Sequence, residues 1–384
     1  MGSKGLGNKG LEGVVAATTR LSHVDGERGE LVIAGYPVEA LAAHATFEET
    51  TWLLWHGSLP AAGQLERFRE ALAAVRRVPD ATVALLRECA RSGMSTMDAL
   101  RVAAGTLSLE SDEAMGLVAR VPTIVASHWR LRHGHEPIAP RSDLGHAANF
   151  LYILGGEVPD TERVRALETY LNTVIDHGLN ASTFTARVIT STGSDLVSAV
   201  VGAIGALKGP LHGGAPGPAL DMVFEIGEAG RAEAVLRRKI EGGERLMGFG
   251  HRVYKVRDPR ADVLATAAER LFTRGGDRAL YALARAVEAE ALRLLEEYKP
   301  GRRLQTNVEF YTALLLHGLG LDVELFTPTF AMSRVSGWIA HAFEQRHDNR
   351  IIRPQSEYVG PRDRTWVPVT ERGPAGETAS IPAA

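Results

Sequence analysis

Apolar residues recur every three or four positions along most of the chain, with polar residues between them. From Asp160, an N-cap candidate after Pro159, the residues Val164, Leu167, Leu171, Val174 and Ile175 fall on one face until Gly178, the 3.6-residue period of an amphipathic helix. That predicted helix ends beside His177. A second run starts at Ser194, carries Leu196, Val197, Val200, Val201, Ile204 and Leu207, and stops at Gly209-Pro210, where proline lacks a donor and glycine permits the turn. It delivers the chain to His212. A third spans Arg278 to Tyr298 with Leu280, Leu283, Val287, Ala291 and Leu295 on one face and Pro300-Gly301 as its stop. The glutamates on its other face read as solvated. Strand-like alternation is confined to the start, where Val24 to Ile33 predicts a small hairpin. Without β-α-β alternation a dinucleotide-binding domain is disfavoured, and the predicted class is all-α with helices of mixed length.

At 384 residues the chain exceeds what one hydrophobic core usually organises, so two domains are expected. Glycine-rich joints at Gly209 to Gly217 and Gly318-Leu319-Gly320 bracket an inserted domain. The expected division is a large helical domain over 1–213 and 321–369, a small domain over 214–320 and a frayed tail over 370–384, which is rich in Gly, Ala, Pro and Ser. A net charge of −3 offers no footprint for nucleic acid or an anionic membrane surface, so an anionic ligand must be met locally. Cys89 is the one cysteine; it excludes an intrachain disulfide or a thiolate zinc site and fits a small helical core residue. The first ten residues lack the apolar stretch of a signal peptide, and no apolar run approaches the roughly 20 residues of a spanning helix. The expected location is the cytoplasm.

Histidine, arginine and carboxylates concentrate in glycine-bounded segments. These are Asp176-His177-Gly178-Leu179-Asn180, Lys208-Gly-Pro-Leu-His212-Gly-Gly, the run from Met247 to Arg260, Thr306-Asn-Val-Glu309-Phe-Tyr, and the cationic stretch from Ser333-Arg334 to Arg353-Pro354. Singly, each has an ordinary structural reading: a histidine after a helix can serve the helix dipole, Glu309 can be a first-turn carboxylate, and Arg260 or Arg353 can be a surface ion pair. The Gly248-Phe-Gly250-His251 loop says more, because paired glycines let a ligand approach backbone, and amides ahead of a helix can hold phosphate. Lys255 and Arg257 follow at once and suit charge-assisted phosphate contacts. Arg260, Arg334 and Arg353 are the side chains best shaped to fork onto small carboxylates. Together these residues suggest acid/base chemistry on a polycarboxylate beside a phosphorylated cofactor.

In this order and spacing the five segments resemble the citrate synthase family over about residues 10 to 365, with Gly-Phe-Gly-His-Arg-Val-Tyr-Lys closed by Asp258-Pro259-Arg260 close to the family signature. The resemblance implies a helical homodimer with a large domain and a small one that closes over substrate. It implies condensation of acetyl-CoA, as co-substrate, with oxaloacetate, and neither a bound cofactor nor a metal. By the same match Glu309 is the base that takes a methyl proton and His212 the donor to the enolate oxygen, since a thioester methyl is too poor an acid to yield without one. His251 polarises the ketone; His177, Arg260 and Arg334 hold the keto acid; Arg353 is supplied across the dimer interface. Asn180 orients backbone or water near the substrate. Gly248, Gly250, Lys255 and Arg257 face CoA.

Two positions depart from the commonest family pattern, Glu309 for Asp and Pro216-Gly217 for Asn-Glu after Gly-Gly-Ala; a subset of the family shares both. The longer side chain must be re-seated, because displacing a base by about an ångström can cost on the order of 100-fold in rate. Two rivals follow: a 2-methylcitrate synthase using propionyl-CoA, since one methylene is worth only about 1 to 3 kcal/mol of discrimination, and a CoA-binding homologue that has lost the reaction. A histidine-ligated metallohydrolase is disfavoured for want of a His-Glu-x-x-His spacing.

Overall fold

The computed structural model describes residues 9–11, 13–107, 113–213, 216–251 and 253–372. The protein is 62% helical, and the all-α expectation holds. The sheet comes first. Strands β1 (Ser22–Asp25), β2 (Glu30–Ile33) and β3 (Tyr36–Pro37) pair antiparallel in sequence order, with Ser22 opposite Ile33 and Asp25 opposite Glu30. Leu31 and Ile33 turn inward from β2 while Glu30 stays exposed, the period-2 alternation of a half-buried strand. β3 is only two residues long and ends in proline, so it carried no strand signal.

The first helical group runs α1 (Val38–His44), α2 (Phe47–His56), α3 (Ala62–Ala74), α4 (Asp80–Arg91), α5 (Thr96–Ala104), α6 (Glu113–Arg132) and α7 (His146–Gly155). Cys89 sits buried in α4. Then come α8 (Thr161–Val174), α9 (Ala181–Ser191) and α10 (Leu196–Leu207), followed by α11 (Pro216–Ile226), α12 (Ala232–Glu241), α13 (Pro259–Arg274), α14 (Arg278–Tyr298), α15 (Val308–Gly318) and α16 (Phe326–His347). The three helices read from periodicity are α8, α10 and α14. Asp160 caps α8 by accepting from the Arg163 amide, and α14 has the expected bounds. Two ends differ: α8 stops at Val174, before the turn that presents His177, and α10 begins after Asp195, whose carboxylate caps it.

One face of α14 differs from its sequence reading. Glu288 is buried, not solvated. Arg257 Nη1 (2.9 Å), Thr306 Oγ1 (2.7 Å), Arg285 Nη1 (2.7 Å) and Tyr311 Oη all donate to its carboxylate, and a buried charge is tolerable when so many donors satisfy it.

α16 lies at the centre, packed against α2, α6, α8, α9 and α10. It is buried nearly all round, by apolar Phe326, Met332, Val335, Trp338 and Ile339 and by polar Ser333, Arg334, Ser336 and His341 alike. At Gly337 a β-carbon would lie 2.3 Å from the Ile175 carbonyl, so glycine is what lets α16 approach the turn before His177. α13 packs against α8 and α15.

By packing, the described residues up to Ile351 form one compact unit and those from Ile352 onward a second. The second is an extended stretch with exposed Tyr358, Val359, Trp366 and Val369, closed by one short turn at Val369–Glu371. Most of the expected tail, 373–384, lies outside the described residues, as do Gly214 and Ala215.

Candidate active site

Three helices begin at the cluster of predicted site residues. Asn180 caps α9 by accepting from the Thr183 amide at 3.1 Å. Asp258 caps α13, with Pro259 at its first position and Arg260 next. Asn307 caps α15 by accepting from the Glu309 amide at 3.0 Å. Helix N-termini carry partial positive charge, so the local sequence logic of capping also produces a field suited to an anion.

Arg260 is buried and gripped from both sides by Asp258, with Nη2 to Oδ2 at 2.8 Å and Nε to Oδ1 at 3.0 Å. Burial opposes its charge, but Asp258 more than compensates and raises its pKa. Asp258 Oδ2 also accepts from the Val308 amide at 3.2 Å, tying the start of α13 to the residue before Glu309. Arg334, in mid-α16, is 1% exposed. Its Nε donates to the Val174 carbonyl at 2.7 Å and its guanidinium lies 4.6 Å from the Phe330 ring centre. Among the described residues no carboxylate forms an ion pair with it, and burial drives its pKa down to about 10.

The histidines are held neutral. His177 Nε2 lies 3.1 Å from Tyr254 Oη, and its ring meets that of His251 edge-on at 5.9 Å. Burial, then Arg260 and Arg334, push His177 well below the usual imidazole range. His251 is lowered to about 4 by burial and Arg260. Its Nδ1 accepts from the amides of Val253 (3.0 Å) and Tyr254 (3.1 Å), two shorter contacts that outweigh the 3.4 Å approach of the Arg260 Nη2 donor to Nε2 and assign the proton of the neutral ring to Nε2. His212 is lowered to about 4 by burial and Arg334. Its Nε2 is 2.8 Å from Ser182 Oγ and accepts from the Ser182 amide at 3.4 Å. Since an amide can only donate, the His212 proton belongs on Nδ1. Ser182 Oγ in turn accepts from Trp338 Nε1 at 3.1 Å, and with His212 Nε2 and Asn180 Oδ1 both 2.8 Å away its single proton serves one acceptor or the other.

Glu309 keeps part of its surface open, yet burial raises its carboxyl to about 7, with Arg260 pulling the other way and Asp258 adding to the rise. Among the described residues no group donates a hydrogen bond to that carboxylate. It is a half-ionised base at neutral pH beside a fixed guanidinium.

His177, Asn180, His212, His251, Arg260, Glu309 and Arg334 are thus linked through a continuous set of contacts and fields. Arg353 is exposed in the second unit. The CoA-facing group differs from expectation in two respects. The Gly250 amide is occupied, donating to the Gln305 carbonyl at 2.7 Å in an isolated bridge between Phe249 and Thr306, and the next helix starts only at Pro259, so the loop is no helix-end phosphate cradle. Gly248 and Gly250 instead take positive φ (89° and 80°); a β-carbon at Gly248 would strike Phe310 at 2.9 Å, so this glycine seats the loop on α15, while one at Gly250 would meet Leu304 at 3.0 Å. Arg257 is turned onto Asp262 and Glu288. Lys255 is exposed. Sequence reasoning did not single out Ser182, Trp338, Tyr254 as a ring partner, or Asp258 as a carboxylate clamp; the Asp-Pro start of α13 was the one signal pointing to the last of these.

The fold and this site define an all-helical acid/base enzyme that handles an anionic substrate. The chain belongs to the citrate synthase family, whose acyl-transferring enzymes make citrate: the family's sequence model, described as citrate synthase, C-terminal domain, matches residues 10–355. The chain is 43% identical to "Citrate synthase 2" of Bacillus subtilis, covering 95% of this chain and 99% of that one. It is equally 43% identical to "2-methylcitrate synthase" of Mycobacterium tuberculosis, over 93% of this chain and 91% of that one. A solved citrate synthase from Thermoplasma acidophilum, in ternary complex with carboxymethyl coenzyme A and oxaloacetate, matches with a TM-score of 0.86 at 31% identity, covering 95% of this chain and 99% of that one.

Proposed function

We propose that the chain condenses acetyl-CoA with oxaloacetate and hydrolyses the resulting citryl thioester, giving citrate and free CoA. The observation that carries this reading is Glu309, a carboxyl lifted to about 7 and unbound by any donor among the described residues. A base poised near the working pH is what proton abstraction from a weak carbon acid requires. Glu309 takes a methyl proton, and the enolate oxygen accepts from His212 Nδ1–H, whose other nitrogen is anchored by Ser182. The enolate carbon attacks the oxaloacetate ketone, which accepts from His251 Nε2–H, and water then cleaves the thioester. His177, Arg260 and Arg334 hold the two carboxylates. Arg334, buried without a carboxylate ion-pair partner among the described residues, has the most to gain from an anion. Asn180 acts through Ser182, which it holds at 2.8 Å.

Lys255, exposed beside the Gly248–Gly250 loop, takes the phosphates of CoA, with Arg257 acting as a strut through Glu288. The small domain over 214–320 closes on the larger one, and Arg353 reaches the site of a second copy in a homodimer. The test is thiol release from acetyl-CoA with and without oxaloacetate, beside propionyl-CoA. Oxaloacetate-dependent release favouring acetyl-CoA supports the reading, and no release from folded protein overturns it. A preference for propionyl-CoA assigns the chain to the second reading, 2-methylcitrate synthesis, for which the equal identity to both relatives is the observation.

A further inference from the structure

The N-terminal hairpin touches both loops that carry the keto-acid histidines. Ser22 Oγ on β1 donates to Asp176 Oδ2 at 2.5 Å and accepts from the Gly178 amide at 2.8 Å. One hydroxyl therefore grips the residue before His177 and the residue after it. Asp176 is fully buried, and its other oxygen lies 3.2 Å from His341 Nε2, so that end of the grip rests on α16. Gly178 turns with φ +60°, and a β-carbon there would reach Val24 Cγ2 at 3.7 Å. The turn sits directly against β1.

The other end of the same strand meets the segment after His251. The Gly26 carbonyl accepts from the Lys255 amide at 2.8 Å. A β-carbon on Gly26 would stand 2.2 Å from the Val253 carbonyl oxygen, and one on Gly29 (φ +70°) would stand 2.7 Å from Val256 Cγ2. At Gly26 backbone is pressed on backbone, and only glycine fits. The segment so held is the one whose Val253 and Tyr254 amides fix His251 Nδ1 and whose Tyr254 hydroxyl meets His177.

We propose that the β1–β2 hairpin is a positioning element for the reaction, with Ser22 and Gly26, separated by on the order of 13 Å of extended chain, setting the separation and aim of His177 and His251. This rests on the reading of those two histidines as the pair that holds and polarises oxaloacetate. Neither Ser22 nor Gly26 touches substrate. Each acts through the histidine loop it holds, and displacing a reacting group by a fraction of its working distance weakens both binding and turnover.

The experiment is calorimetric titration of the full-length protein with oxaloacetate alone, so that no thioester chemistry enters. Ser22→Ala leaves Asp176 and the Gly178 amide without their partner and is expected to weaken oxaloacetate binding about tenfold, the effect of one lost hydrogen bond to a charged group. Ser22→Thr keeps the hydroxyl on a β-branched residue suited to a strand and retains binding. Glu30→Ala, on the exposed side of the same hairpin, leaves it unchanged. Gly26→Ala carries the test from the other end if Ser22→Ala does not fold. The decisive readout is coupling: in a His177→Ala background, Ser22→Ala has no further effect if Ser22 works through His177. Binding by Ser22→Ala at the wild-type level, or losses that simply multiply in the double variant, would overturn the proposal. A wild-type protein that ignores oxaloacetate sinks the underlying reading and the clasp together, and is told apart because a failed clasp leaves wild-type binding intact.

Discussion

Asp258 holds Arg260 through both carboxylate oxygens, at 2.8 and 3.0 Å, while the same carboxylate accepts from the Val308 amide. It therefore fixes a cation and sets the field at Glu309. Asp258 raises the Glu309 carboxyl and Arg260 lowers it, on top of the larger rise from burial. Glu309 must be ionised to accept a proton, so kcat/KM rises with pH through a limb near 7. Asp258→Asn removes the negative neighbour and leaves Arg260 unopposed, and both changes favour ionised Glu309. The limb is expected to move to lower pH, whatever happens to the maximal rate. A pH–rate profile checks this, and a limb that stays put or moves upward removes Glu309 as its origin.

Glu309 itself makes a two-part prediction. Glu309→Gln should abolish thiol release while oxaloacetate binding survives, a loss on the order of 100-fold or more, and Glu309→Asp should fall between them because the carboxylate retreats. Stability moves the other way. The raised carboxyl means that the fold disfavours the ionised form, so wild-type stability declines as pH rises from about 4.5 through about 7. Glutamine has no such penalty. Glu309→Gln is expected to melt above the wild type at pH 8 and level with it at pH 4.5, as thermal unfolding at the two pH values will show.

How much of this was legible in the sequence depends on what kind of contact a residue makes. Helices with one apolar face, such as α14, could be bounded from periodicity because their caps are local: Asp277 accepts from amides two and three residues away. Long-range partners left no such trace. Nothing near Ser182 says that Trp338 will donate to it across 156 positions, and Glu288 looked like any exposed helical glutamate until Arg257, Thr306 and Tyr311 converged on it. The candidate histidines and arginines were singled out through the motif, but their protonation was not, because it follows from burial and from neighbours that the fold supplies.

Arg334 predicts a trade between stability and function. A buried guanidinium with no carboxylate partner among the described residues is an uncompensated charge, and its lowered pKa of about 10 reports the strain of burial. Replacing a poorly paired buried ion with an apolar side chain of similar volume can stabilise by about 1–4 kcal/mol. Arg334→Met is therefore expected to melt at a higher temperature than the wild type without ligand. Oxaloacetate should raise the melting point of the wild type and leave the variant's unchanged. Equal protection of both would take Arg334 out of the substrate site.

Glu288 makes the opposite case, a buried charge that is fully partnered. Glu288→Ala leaves Arg257 with Asp262 alone and Thr306 and Tyr311 without their acceptor, so a loss of about 3 kcal/mol is expected in urea unfolding. Glu288→Gln keeps the shape but not the charge and should lie between. Because Thr306 and Tyr311 flank Glu309, the surviving activity should fall in kcat more than in the KM for either substrate.

The placement of Arg353 can be decided by arithmetic on mixed chains. Suppose that a site draws Glu309 from one protomer and Arg353 from its partner. A dimer of one Glu309→Gln chain and one Arg353→Ala chain then holds one site with both lesions and one with neither. Free subunit exchange at equal concentrations makes half the dimers mixed, so activity should return to roughly a quarter of the wild-type level from two inactive parents. If Arg353 instead serves the Glu309 of its own chain, every site in the mixed dimer carries one lesion and nothing returns. A protein that elutes as a monomer excludes the shared site outright. The two arrangements therefore differ by the presence or absence of activity, which a single thiol-release assay after exchange will resolve.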